Sequence, residues 1–267
     1  MLVLRLAVGV FKESVRDRVL YGLVVFAALL MAATYLLGQL TAGQDIKIIK
    51  DLGLAAISTL GLFMAVFIGI GLVWREVERR SIYNVRSKPG TRTQFLLGKY
   101  AGLALTLTVN VVAMTAAFYA VLAYMHWTAD AAMRRSWPAP AADPALLWAV
   151  GLILVELFVV TAVALFFSTF SSPFLSAVLT LALWIVGHFN DDLRHFDAVV
   201  DSRAAVFVAR ALYLVLPDLS SFDVRAQVVH GLRVPPELVG MSVLYGAAYV
   251  GFLLAAAAVV FQRKDLK

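Results

Sequence analysis

The chain has 267 residues, 62% of them hydrophobic and only 15% charged, and it contains no cysteine. That balance cannot cover the surface of a soluble globule, so it specifies an all-α polytopic membrane protein, one transmembrane domain over 1–267. The absence of cysteine excludes disulfides, thiolate metal sites and thiol nucleophiles, and the net charge of +6 is read by side of the membrane, not as a nucleic-acid signal.

Residues 2–19 mix Leu2, Val3, Leu6, Val10, Phe11, Val15 and Val19 with Lys12, Glu13, Arg16, Asp17 and Arg18, the composition of an interfacial helix over 1–18. A lever against a partner and a plain membrane anchor explain it equally well. The apolar stretch after Arg5 is short and lacks a small-residue cleavage site, so the expectation is that it is no cleavable signal. Six apolar runs are then long enough to cross about 30 Å of hydrocarbon as helices. They are Val19 to Leu40, Leu52 to Trp74, Tyr100 to Tyr124, Ala145 to Phe167, Pro173 to Phe189 and Leu238 to Phe261.

Between the second and third runs, residues 74–99 carry Arg75, Arg79, Arg80, Arg86, Lys88, Arg92 and Lys99 against Glu76 and Glu78. Lys88-Pro-Gly-Thr91 places Pro and Gly for a type II turn, and Thr91-Arg-Thr-Gln94 has capping-box spacing. The block therefore reads as a short charged helix over 75–86, a turn, and a second helix running straight into the third span. A docking surface is one reading. The other is a solvated connector whose arginines meet anionic headgroups.

Polar residues inside the spans are few. Asn110 in the third is expected to bond across helices. Glu156 in the fourth is the one acid within a span, a functional candidate weighed against a neutral or hydrogen-bonded carboxyl facing the bundle. Past the fifth span, His188, Asp192 and His195 recur at spacings of four and three, a weak metal candidate against the simpler reading of a solvated helix end. No Ser/His pair or intramembrane metal motif points to a protease, and His188 has no second intramembrane histidine for haem. Small residues repeat every four positions in Gly61, Ala65, Gly69 and in Ala247, Gly251, Ala255, with contact inside one protomer the expected use.

Within the outer segment 190–237, Arg203 to Leu216 is apolar but too short to span, so it should be re-entrant or interfacial. Residues 217–236, broken by Pro217, Pro235 and Pro236, return the chain to the last span. With both termini inside, the cytoplasmic pieces (1–18, 74–99, 168–172, 262–267) hold 14 basic and 5 acidic residues. The outer pieces (41–51, 125–144, 190–237) hold 9 and 11. That bias sets the orientation.

Glu76-x-Glu-Arg-Arg-Ser-Ile82, then Ser87-Lys-Pro89, then Gln94-Phe-Leu-Leu-Gly-Lys-Tyr100 closely resembles the first cytoplasmic loop of ABC-2 type permeases, membrane subunits of ATP-binding cassette transporters. Leu216-Pro-Asp-Leu-Ser-Ser-Phe-Asp223 resembles that family's outer segment, and Phe261 to Leu266 its basic ending. The resemblance implies a homodimer or heterodimer of permease protomers on two copies of a separate ATPase, in the bacterial cytoplasmic (inner) membrane with both termini on the cytoplasmic side. It further implies a coupling helix among Glu76, Glu78, Arg79, Arg80, Ser81, Ile82 and Tyr83, and a minor contact at Ser168, Thr169, Ser171 and Ser172. ATP and Mg would be bound by the partner, and the chain would be no enzyme by itself. It has no G-x-x-x-x-G-K-[ST] loop, because Gly98-Lys99 is followed by Tyr100 and Thr93 stands where the first glycine belongs. Export or flipping of a substrate is the expected activity. The alternatives are a mechanotransmitting subunit that drives an extracytoplasmic partner and, further off, a membrane metal-binding protein or enzyme.

Overall fold

The structure, a computed structural model, describes residues 6–11, 22, 25–26, 29–30, 32–33, 45–78, 92–189 and 216–263. Its elements in chain order are α1 (Asp45–Glu78), α2 (Arg92–Thr128), α3 (Ala131–Ser136), α4 (Leu146–Ser168) and α5 (Pro173–His188). A 3-10 turn (Ser220–Phe222), α6 (Arg225–Val229) and α7 (Pro236–Arg263) follow. No strand occurs among the described residues. Among the described residues, four helices are long and apolar enough to cross a membrane, at Ile46–Phe67, Thr93–Thr128, Leu146–Ser168 and Pro236–Phe261, while α5 is apolar but shorter.

The centre of the bundle is α4. Its sequence LLWAVGLILVELFVVTAVALFFS is apolar on every side, so it has no polar stripe to turn outward; from Leu152 to Ser168 it is buried or half-buried, while Leu147, Trp148 and Gly151 are exposed near its start. It packs against α1, α2, α5 and α7. Leu152, Leu157, Val159 and Leu165 are fully buried along it. At the far end, Ser172 caps α5 by accepting from the Leu175 N–H (3.4 Å), and Pro173 opens the helix where a missing N–H costs nothing.

Two expected boundaries move. Residues 45–51, expected as an outer loop, are the first turns of α1, and Lys50 on that stretch is buried, its Nζ donating to the Pro140 carbonyl at 2.7 Å. A hydropathy window stops at such a lysine; a hydrogen-bonded ammonium on a long apolar stem does not stop a helix. Residues 75–78 continue α1 without a break, so no separate charged helix starts at 75. The second helix of that block begins at Arg92 and runs unbroken into the third span, as expected.

The first span and the apolar stretch 203–215 lie outside the described residues, apart from helical positions at 22, 25, 26, 29, 30, 32 and 33. Of these, Phe26 and Leu30 are buried in the main core. Residues 6–11 are helical and press on α2 at Gly102, where an added Cβ would lie 2.6 Å from the Val10 Cβ and 2.8 Å from the Ala7 carbonyl oxygen.

Residues 217–229 do more than return the chain to α7. Ser242 Oγ donates to the Ser221 carbonyl (3.0 Å), Tyr245 Oη accepts from the Asp218 N–H (2.8 Å), and Phe222 faces Gly246. These partners lie six to ten residues past Pro236, roughly 9–15 Å along α7. The segment is thus sunk among the helices, with Leu219, Phe222, Val224, Val228 and Val229 buried. It ends at Gly231, whose φ of 73° lets Leu232 N–H reach the Gln227 carbonyl at 2.9 Å and close α6.

Candidate functional site

The three groups of candidate residues fare differently. Glu76 and Glu78 sit on the last turn of α1, and Arg79, Arg80, Ser81, Ile82 and Tyr83 lie outside the described residues. What is visible is the mounting of that block, which joins the end of α1 to the start of α2, two helices that pack on each other and on α4. Just inside α2, Lys99 is buried with its Nζ 4.9 Å from the centre of the Phe95 ring.

At the second candidate contact the hydroxyls serve the helix ends. Ser168 Oγ donates to the Leu165 carbonyl, Thr169 Oγ1 to Phe166 and Ser171 Oγ to Phe167, and the Ser171 and Ser176 hydroxyls pair at 2.7 Å. Beside them, Phe170 and Phe174 are exposed. A partner at this turn would therefore meet aromatic rings before hydroxyls.

Glu156 is where the structure adds most. It is buried near the middle of α4, and Trp184 Nε1 of α5 donates to its Oε1 at 2.7 Å. His188, one turn further along α5, brings Nε2 to 3.5 Å from the same oxygen, its ring 4.6 Å from the Trp184 ring centre. The other imidazole nitrogen, Nδ1, lies 3.0 Å from the Trp184 carbonyl. Arg225 and Asp223 complete the surroundings: the guanidinium donates from Nε to Oδ1 (3.0 Å) and from Nη2 to Oδ2 (2.9 Å), and both charges act on Glu156. Burial pushes the Asp223 carboxyl up, but the hydrogen bonds and charge of Arg225 outweigh it and hold it below its ordinary value. Arg225 is raised by the same hydrogen bond.

Sequence reasoning named Glu156 and His188 separately and gave Glu156 no partner. It missed Trp184, Asp223 and Arg225. A signal existed: a tryptophan N–H in an apolar helix needs an acceptor, and a buried carboxylate needs donors. The metal reading of His188 weakens, since its Nδ1 is engaged and its Nε2 faces Glu156; Asp192 and His195 lie outside the described residues. No cluster of three metal-ligating side chains occurs among the described residues. Asn110, expected to bond across helices, instead donates from Nδ2 to the Thr106 carbonyl of its own helix at 2.7 Å.

The two small-residue stripes separate. An added Cβ at Gly61 would lie 2.4 Å from Leu157 Cδ1, and Ala65 is buried, so this stripe is the α1–α4 seam. Among the described residues nothing lies within 4 Å of a Cβ at Gly251, and Ala247 and Ala255 are exposed beside it, so the expected contact within one protomer is not made on α7 by the described residues.

The chain matches no known family model, and no curated protein matches it.

Proposed function

We propose that this chain is the membrane-spanning permease subunit of an ABC-2 type transporter, coupling ATP hydrolysis in a separate ATPase to export or flipping of a substrate. On this reading it has six spans, α5 and the first apolar run included, with both termini in the cytoplasm of a bacterial inner membrane. It works as a dimer of protomers over two ATPase copies. The observation that carries the proposal is the block 74–99. Its motif resembles the coupling loop of that family, and it is mounted between two long bundle helices, so a push on it acts on α1 and α2 together. The charge asymmetry supports a cytoplasmic position for that block.

The test is co-purification. Replacing Glu78 and Arg79 by alanine should leave membrane insertion intact and weaken recovery of the ATPase with the tagged permease. Undiminished recovery and undiminished stimulation of the ATPase in that double variant would remove the coupling role from these residues.

A further inference from the structure

We propose that Glu156 and His188 form a one-proton site between α4 and α5, and that loss of this proton at alkaline pH loosens the seating of α5 on α4. A carbonyl oxygen can only accept a hydrogen bond. His188 Nδ1 lies 3.0 Å from the Trp184 carbonyl, so Nδ1 must carry a hydrogen. A neutral His188 then has a bare lone pair at Nε2. That lone pair faces Glu156 Oε1 at 3.5 Å. If Glu156 is ionised as well, two acceptors oppose each other with no proton between them. One proton, on either the imidazole or the carboxyl, turns the pair into donor and acceptor.

The surrounding charges lead to the same count. From α5 the facing groups are His188 and the Trp184 N–H; from α6 it is Arg225, and from the residue two before it, Asp223. Asp51 of α1 acts on the same cluster through Arg225 and is itself exposed. Arg225 is committed to Asp223 through two side-chain hydrogen bonds, so its charge is largely matched. Among the described residues, the titratable group left facing Glu156 is His188. The imidazole is also the last residue of α5, where the helix carbonyls favour a cation, and its side chain is 21% exposed against 4% for Glu156.

The site is a property of the bundle and needs no ATPase, so it can fail or stand independently of the transporter reading. The probe is the proton itself, applied to the full chain in lipid nanodiscs from about pH 5 to about pH 9, a range that brackets an ordinary imidazole. The apparent Tm of the native chain should fall by about 5 °C toward the alkaline end, as expected for a buried pair that loses its partner charge. His188→Gln and Glu156→Gln should each flatten that fall. Trp184 supplies a second readout, because a charged imidazole against an indole quenches it. In a His126→Gln background, which removes the His126–Trp137 ring pair, the tryptophan fluorescence of the folded protein should rise with pH. His188→Gln should abolish that rise, and Glu156→Gln should move it to lower pH. Should either Gln variant fail to assemble, the His126→Gln titration still decides the matter. A flat Tm and flat fluorescence in the otherwise native chain, or an alkaline fall that survives both substitutions, would overturn the proposal.

Discussion

Gly61→Ala and Gly251→Ala make the same chemical change in the same sequence pattern, and the structure gives them opposite signs. A β-carbon at Gly61 would stand 2.4 Å from Leu157 Cδ1 and 3.4 Å from its Cγ, whereas carbon atoms rest at about 3.5–4.0 Å. Leu157 has no exposed surface and sits in the buried middle of α4, so it must move by about 1 Å into a close-packed core. Overpacking of this kind costs about 1–3 kcal/mol, and alanine returns about 1 kcal/mol of helix propensity, for a net loss near 1 kcal/mol. At about 2–4 °C per kcal/mol, Gly61→Ala should lower the apparent Tm in nanodiscs by about 2–4 °C. Gly251→Ala meets nothing within 4 Å and keeps only the propensity gain, so its Tm should rise by a similar amount. Shortening the obstacle with Leu157→Val should rescue Gly61→Ala, a coupling of about 1 kcal/mol in a double-mutant cycle. Equal shifts of the same sign at both glycines, with no rescue by Leu157→Val, would refute the packing argument.

Lys50→Ala removes a fully buried stem and the donor to the Pro140 carbonyl, and should lower the apparent Tm by about 4 °C or more. Asp223 is held below its ordinary value, so its contribution is present at neutral pH and is lost only as pH falls below the ordinary carboxyl range. Asp223→Asn should flatten that acid limb by under about 1 kcal/mol, because the pair is about a third exposed, as a Tm series below neutral pH would show. A cysteine at Arg86 should be labelled by an impermeant reagent only in opened cells, and one at exposed Arg134 in intact cells; the chain has no cysteine to give background.

The fourth and fifth helices were legible almost to the residue, because an apolar run ends at Ser168 and the Ser172-Pro173 pair is a local start signal. What stayed hidden depends on alignment between distant segments. Glu156 and Trp184 are 28 residues apart, and no periodicity says which turn of α5 comes level with which turn of α4. The start of α1 was placed at Leu52 because Lys47, Lys50 and Asp51 look like a loop until the Pro140 carbonyl is brought to Lys50. The stripes at Gly61 and Gly251 read identically in sequence, since spacing records a helix face and not what the face meets.

At 16 residues, α5 measures roughly 24 Å and ends alongside the middle of α4. The last carbonyls of any helix lack partners within it and must find them elsewhere. One of them, on Gly187, is met by the Leu219 N–H at 3.0 Å, with Leu219 seated directly on that glycine. The chain therefore stoppers its own short helix with a plug supplied some thirty residues later. Any side chain at Gly187 would collide with Leu219 and with the Pro217 carbonyl, each 2.9 Å from the new Cβ. Withdrawing the plug would take the Leu219 N–H from the Gly187 carbonyl and uncover that glycine, so displacing residues 217–219 would loosen the last turn of α5.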